Sequence, residues 1–121
     1  MVNRAETPEG WDRLFNAGAA IDRAHLKNVT ELIKATERRM TIGGKNIPVA
    51  NVPYTMASDG GNLLARQNDG IGATYFDTPE GRKFSLRSIG DIDVSQIATE
   101  FGGGGHRNAA GFVQPIGWEG E

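Results

Sequence analysis

The sequence predicts one α/β domain, a mixed five-stranded sheet flanked by helices, preceded by a long N-terminal helical segment. Three observations support this. The chain has 121 residues, which is long enough to bury a core, and no cysteine that could form disulfides. Apolar residues recur at helical spacing in the N-terminal third and alternate at strand spacing later. The 17 glycines gather in clusters between these segments, which is typical of turns in a folded domain.

The N-terminal helical segment is predicted from about residue 8 to residue 38. Thr7 supplies a hydroxyl cap immediately ahead of a proline at the first helical position. Gly18 marks a candidate break between two parts of the segment. The basic residues Arg38 and Arg39 suit the C-terminal end of a helix, where the dipole is negative.

An α/β domain is expected at residues 40–121, after a connector-like segment at residues 1–39. Gly43 and Gly44 separate two short β-type runs, which indicates a hairpin. The turn at Pro79 similarly divides a second pair of strands. The five predicted strands cover residues 40–42, 47–52, 71–76, 83–89 and 110–113.

Two short helices complete the predicted domain. Ser58 and Asp59 are interpreted as the cap of the first, which ends near Gly70. A second possibility is that the unpaired N–H groups at this helix start line a ligand cleft. Asp93 and Gln96 have the spacing of a capping box and predict the second helix.

Composition narrows the classes of function. A net charge of -2 argues against a protein that coats nucleic acid through its overall field. The short apolar runs exclude a membrane-spanning helix, and the absence of cysteine fits a cytoplasmic location. The two histidines, His25 and His106, lack the spacing of a metal site, and no two-metal hydrolytic centre can be assembled. We therefore expect no metal or cofactor in this chain, and His25 to be a surface or packing residue.

A glycine-rich segment at residues 101–112 is the main candidate for binding. Glycines leave room for a ligand and adopt backbone angles that can aim N–H groups at a phosphate oxygen. A histidine, an arginine and an asparagine follow and add hydrogen-bond donors. The candidate residues are Gly102, Gly103, Gly104, Gly105, His106, Arg107 and Asn108. The alternative is a flexible loop in which the histidine caps the next element.

The predicted strand at residues 83–89 carries a second candidate, because alternate side chains share one face. Ser85 and Arg87 lie on one face, whereas the buried face receives the apolar residues and Ser88. An arginine on a strand is held more rigidly than one on a loop. The alternative is an edge-strand arginine that keeps the protein soluble.

The motifs F-S-L-R-S and D-V-S-Q-I-A-T-E-F-G-G-G-G-H-R-N-A-A-G-F together resemble the C-terminal, DHH-associated domain of DHH-family phosphoesterases. That family includes oligoribonucleases, single-strand exonucleases, cyclic-dinucleotide phosphodiesterases and phosphatases of nucleoside bisphosphates. The resemblance implies that the G-G-G-H segment and the strand arginine reach the phosphate and sugar of the substrate. The implied binders are Arg87, Gly103, Gly104, Gly105 and His106, accompanied by Ser85, Ser88 and Arg107.

The same resemblance implies that substrate binding and catalysis belong to separate domains. In that family a separate N-terminal domain holds two manganese ions, and this domain has no counterpart in the chain. We therefore expect a substrate-binding domain with a nucleotide or a short single-stranded oligonucleotide as ligand. A metal-binding catalytic domain and a second copy of the chain are candidate partners. The alternatives are a stand-alone nucleotide-sequestering or regulatory protein and, less favoured, a metal-independent hydrolase that uses His106.

Overall fold

The computed structural model describes residues 19–120, with side chains from residue 23, and places them in a six-stranded sheet with helices on both faces. The helices are α1 (Ala19–Thr36), α2 (Ala57–Gln67) and α3 (Val94–Glu100), and a 3-10 turn at Tyr54–Met56 precedes α2. The strands are β1 (Arg38–Ile42), β2 (Lys45–Asn51), β3 (Ile71–Thr78), β4 (Gly81–Ser88), β5 (Gly104–His106) and β6 (Ala109–Gln114). The α/β class is confirmed.

The sheet is mixed, with the strand order β1-β2-β3-β4-β6-β5. Strands β1 and β2 form one antiparallel hairpin, and β3 and β4 form another. Strands β2 and β3 are parallel, so their connection must cross the sheet, and α2 provides that crossover. Strand β6 pairs with both β4 and β5, which leaves β5 at the edge.

Each face of the sheet buries its own apolar cluster. The face under α1 and α2, called the α2 face below, carries the smaller cluster: Val29, Ile33, Ala50, Val52 and Leu64. The opposite face, under α3, carries the larger cluster. Its centre is aromatic, because Phe112 stacks on both Phe84 and Phe101 with centroid distances of 4.9 Å. Trp118 meets these rings edge-on and covers the cluster from the C-terminal side.

The predicted N-terminal helix is too long at its C-terminal end. Helix α1 ends at Thr36, so the prediction that Arg38 and Arg39 belong to the helix is wrong. Both arginines lie on β1, because burial of Met40 and Ile42 follows the two-residue period of a strand. The predicted helix start at Thr7 and the break at Gly18 fall outside the residues that the structure describes.

The start of α2 also differs from the prediction. The helix begins at Ala57, and its N-terminus has no side-chain cap, so Ser58 and Asp59 lie in the first turn. Asp59 instead accepts a hydrogen bond of 2.5 Å from the Nε2 of His25 on α1. The half-buried His25 is therefore a packing residue, as expected.

The Asp93 half of the predicted capping box is confirmed at the start of α3. The carboxylate of Asp93 accepts hydrogen bonds from the side chain and the amide of Ser95. These bonds hold the pKa of the Asp93 carboxyl below its ordinary value, because they stabilise the charged form. The cap fixes where α3 begins.

The sixth strand corrects the prediction of five strands. Gly104–His106 pairs antiparallel with the first half of β6 and extends the sheet by one strand. Glycine disfavours strands in general, so the composition indicated a loop. Here the absence of side chains permits the pairing, because a β-carbon on Gly105 would lie only 2.6 Å from the carbonyl oxygen of Ala109.

Candidate functional site

A cleft opens on the α2 face, between the start of α2 and strand β4. Helix α2 packs on β3 and β4, and the sheet continues past β4 with β6 and β5. The cleft has a volume of about 450 Å³. It is lined by Tyr54, Thr55, Ala57, Ser58, Phe76, Ser85 and Arg87. The wall therefore combines an arginine, the hydroxyl groups of Thr55, Ser58 and Ser85, and the aromatic rings of Tyr54 and Phe76.

Cross-strand register places Arg87 and His106 on the same face of the sheet. Arg87 lies opposite Ala109 on β6, and Ala109 lies opposite His106 on β5. Directly opposed residues of antiparallel strands project from one face. The backbones of the two donors are separated by two strand spacings, about 10 Å. The methyl group of Ala109 leaves the space between the arginine and the imidazole open to a ligand.

A second row of cross-strand neighbours runs beside the row of Arg87, Ala109 and His106. Ser85 lies opposite Gly111, and Gly111 lies opposite Gly104. This row carries no side chain larger than a hydroxymethyl group. Together with Ala109 it forms a shallow floor beside the lined cleft, bordered by Arg87 on one side and His106 on the other.

Arg87 is positioned by one contact of its guanidinium and one of its aliphatic stem. Its Nη1 donates a hydrogen bond of 3.1 Å to the carbonyl of Leu86. Its Cγ lies against the backbone of α2, where a β-carbon on Gly61 would come within 2.7 Å of it. The alternative of an edge-strand arginine is wrong, because β4 lies between β3 and β6.

The glycines of the run have different roles. Gly102 has a φ of +86°, and the amides of Gly102 and Gly103 donate to the carbonyls of Thr99 and Ala98 at the end of α3. These two glycines terminate the helix, so the expected phosphate cradle cannot use all the amides of the run. The alternative of a flexible loop is also wrong, because the segment is a helix end followed by a strand.

Gly104 is the exception within the run. Its neighbours Gly103 and Gly105 are required by the fold, since a β-carbon on either would collide with the backbone of β6. Gly104 has no positive φ, and a β-carbon there would meet nothing within 4 Å. The fold therefore tolerates a side chain at this position, which lies on the α2 face.

Three predicted binders serve the turn between β5 and β6 instead. The Oγ of the fully buried Ser88 donates 2.6 Å to the carbonyl of Ile92 and accepts 2.9 Å from the Nδ2 of Asn108. The guanidinium of Arg107 faces Asp91, with an ion-pair distance of 3.8 Å. The structure thus brings Ser85, Arg87, Gly104 and His106 to the α2 face, and it does not bring Ser88, Arg107 or Asn108 there.

Sequence reasoning missed the aromatic wall of the cleft. Tyr54 is 75% exposed, and its ring centroid lies 6.1 Å from that of the half-buried Phe76, with 63° between the planes. The available signal was an aromatic residue between Pro53 and a helix start, outside any apolar period. Phe76 ends a predicted strand, and nothing local connects it with Tyr54.

No group of three or more His, Cys, Asp or Glu side chains that could hold a metal ion occurs within residues 19–120. The manganese that the resemblance implies was expected in a separate domain and stays a prediction. Of the helices in this part of the chain, none is long and apolar enough to cross a membrane.

Comparison with known proteins adds family information. A family profile described as the DHHA1 domain matches residues 54–116, more than half of the chain. An uncharacterized protein of Acanthamoeba polyphaga mimivirus is 72% identical over 31 residues, which are 25% of this chain and 7% of that protein. This second match is local and covers a small part of both chains.

Solved structures share the fold. An uncharacterized protein from Helicobacter pylori matches with a TM-score of 0.50 and 27% identity over 69% of this chain and 24% of that one. An exopolyphosphatase-related protein from Bacteroides fragilis matches with a TM-score of 0.50 and 20% identity, over 74% and 29% of the two chains. A pGpG-specific phosphodiesterase from Vibrio cholerae matches with a TM-score of 0.55 and 13% identity, over 93% and 39%. The chain thus spans less than two fifths of the length of each of these proteins.

Proposed function

Because the chain belongs to the DHHA1 domain family of the DHH phosphoesterases, we propose that it binds the phosphate of a nucleotide or a short oligonucleotide on the α2 face. The observation that carries the proposal is the row Arg87–Ala109–His106, in which two side-chain donors flank a small residue. An anion seated over Ala109 can be reached from both sides. The proposed ligand is single-stranded.

Arg87 is the main phosphate ligand in this proposal. Its planar guanidinium can give two parallel hydrogen bonds to one phosphate group. The packing of its stem against Gly61 limits the conformations of the side chain before a ligand arrives. Less side-chain entropy is therefore lost on binding, which favours affinity.

The surroundings of Arg87 favour an anion further. Ala57 and Ser58, at the N-terminus of α2, line the same cleft. The helix dipole makes such an end electropositive, although the amide of Ala57 already donates to the carbonyl of Tyr54. The hydroxyl of Ser85 and the imidazole of His106 add donors for the phosphate or the sugar.

Gly104 supports the assignment by its lack of a structural role. The fold requires neither a positive φ nor the absence of a side chain at this residue. A methyl group there would project into the shallow floor between Ser85 and His106. We propose that the absence of a side chain at Gly104 lets the ligand approach the backbone of β5.

The role proposed for the domain is to hold substrate while a separate domain supplies the metal ions. The four residues brought to the α2 face bind and orient the ligand and exclude water from one side of it. Bond cleavage is assigned to the partner domain, for which manganese is the metal implied by the family. The partner can lie on the same polypeptide or on another.

Isothermal titration calorimetry with a 5′-phosphorylated dinucleotide tests the proposal. Arg87→Ala should weaken binding by about 1.5–3 kcal/mol, since it removes a charge-assisted hydrogen-bond donor. Arg107→Ala is the matched control, because this second arginine of the motif faces Asp91. Its affinity should stay near that of the wild type. Binding that is absent, or that both substitutions weaken equally, would rule out the proposed site.

A further inference from the structure

We infer that Tyr54 and Phe76 form a subsite for the nucleobase in the cleft lined by Arg87, beside the floor that holds the phosphate. This inference rests on the proposed function and extends it, because it specifies the part of the ligand that the aromatic wall contacts. A ligand of phosphate alone would have no use for this wall. The ligand class is therefore a nucleotide, and a polyphosphate without bases is disfavoured.

Tyr54 presents an unusually open ring. It is 75% exposed, the largest exposure among the exposed large hydrophobic side chains of residues 23–120. Its backbone is nevertheless fixed, because the amide of Met56 donates 2.9 Å to the carbonyl of Pro53 and closes the 3-10 turn. A ring that is fixed at its root and exposed at its face is suited to stack on a planar group.

Phe76 sets the orientation of that ring. Its own ring is half-buried on β3 and meets Tyr54 at an interplanar angle of 63° with centroids 6.1 Å apart. This edge-type contact is a favourable aromatic geometry. It occupies one side of the tyrosine and leaves the exposed face of that ring available. A nucleobase can stack on the tyrosine while its edge meets the phenylalanine.

The cleft that contains the aromatic wall and the arginine is large enough for one nucleotide. Tyr54, Phe76, Ser85 and Arg87 all line it. The volume of about 450 Å³ lies within the range of small-ligand sites, roughly 300–1,000 Å³.

The polar groups of the cleft assign a direction to the ligand. Thr55 and Ser58 lie beside the aromatic rings, where their hydroxyls can donate to or accept from the edge of a base. Arg87 lies on the row that receives the phosphate, and His106 lies farther along the same row, outside the lining of the cleft. The base therefore points toward the 3-10 turn and the phosphate toward β5. Stacking accepts any base, so we expect weak selectivity among bases.

Calorimetric titrations with adenosine 5′-monophosphate and ribose 5-phosphate test the subsite, because the two ligands share sugar and phosphate and differ in the base. The wild type should bind the nucleotide roughly tenfold more tightly, as stacking of one base contributes on that order. Tyr54→Ala should remove most of this difference by weakening the nucleotide alone. Tyr54→Phe, which keeps the ring, should preserve it.

The outcomes separate this inference from the proposed function. If Tyr54→Ala binds both ligands as the wild type does, or weakens both equally, the base subsite is wrong. In that case Arg87→Ala, which should weaken both ligands about tenfold or more, still tests phosphate binding on its own. If the wild type binds neither ligand, the base subsite fails, and the dinucleotide titration alone decides the proposed function. Circular dichroism of each variant confirms that it is folded.

Discussion

The Cγ of Arg87 occupies the space that a side chain on Gly61 would fill: a β-carbon on that glycine would lie 2.7 Å from it. A helix glycine thus makes room for a strand arginine, and this packing helps to aim the arginine. The contact couples α2 to β4 at the cleft. It also explains a glycine in the interior of a helix, where glycine is intrinsically unfavourable.

Gly61→Ala should destabilise the protein by about 1–2 kcal/mol, because overpacking costs roughly 1–3 kcal/mol and the better helix propensity of alanine returns up to about 1 kcal/mol. In an Arg87→Ala background the cost should largely disappear. The remaining contact, with the Cβ of residue 87 at 3.2 Å, is milder. Urea unfolding of the four proteins of this double-mutant cycle measures the coupling. An equal loss of stability from Gly61→Ala in both backgrounds would contradict the packing of Arg87 against Gly61.

Gly104→Ala should weaken ligand binding without destabilising the fold. Its unfolding free energy should stay within about 0.5 kcal/mol of the wild type, since the added methyl meets no neighbour. Its affinity for a dinucleotide should fall about tenfold, because the methyl projects into the floor of the site. Gly105→Ala is the control and should destabilise by about 1–3 kcal/mol through its clash with β6. Unchanged affinity in Gly104→Ala would remove this residue from the site.

Ser88→Ala should lower stability by about 1–3 kcal/mol, because it deprives Asn108 and the carbonyl of Ile92 of a buried partner. Ser85→Ala, on the other face of the same strand, should change stability by less than about 0.5 kcal/mol. Thermal unfolding of the two variants provides the comparison. A larger loss of stability in Ser85→Ala than in Ser88→Ala would contradict the roles assigned to the two hydroxyls.

Glu119 should make stability depend on pH. The pKa of its carboxyl lies below the ordinary value of 4.5, chiefly because Arg38 donates hydrogen bonds to it. A depressed carboxyl pKa contributes stability above the unfolded value, and this contribution is lost as the pH falls through the folded value. Glu119→Gln should therefore be less stable than the wild type at pH 7, and the difference should shrink below pH 4.5. A constant difference across this range would contradict the ion pair.

Much of the fold follows from local patterns. Alternating apolar residues predicted five of the six strands, and the Asp93 cap predicted α3. Strand β5 could not be predicted this way, because its three residues pair only through the close approach of β6. The end of α1 was misplaced for a related reason. Arg38 is a good helix former, and its place on β1 is fixed by pairing with β2.

Only part of the site could be predicted from the sequence. The two-residue period correctly placed Ser85 and Arg87 on one face and Ser88 on the other. The roles of the individual glycines depend on the end of α3 and the backbone of β6, which are not local to the run. Tyr54 enters the cleft only because α2 crosses β3 and β4, so no pattern around it indicated a site.

The most direct test is an NMR titration of the ¹⁵N-labelled protein with a 5′-phosphorylated dinucleotide. If phosphate binds on the α2 face, the largest amide shifts should occur at Arg87, Gly104 and His106 and at the start of α2. The amides of the turn at Arg107 and Asn108 should move less. Shifts concentrated around α3 and Trp118, with Arg87 and Gly104 unmoved, would show that the ligand binds elsewhere.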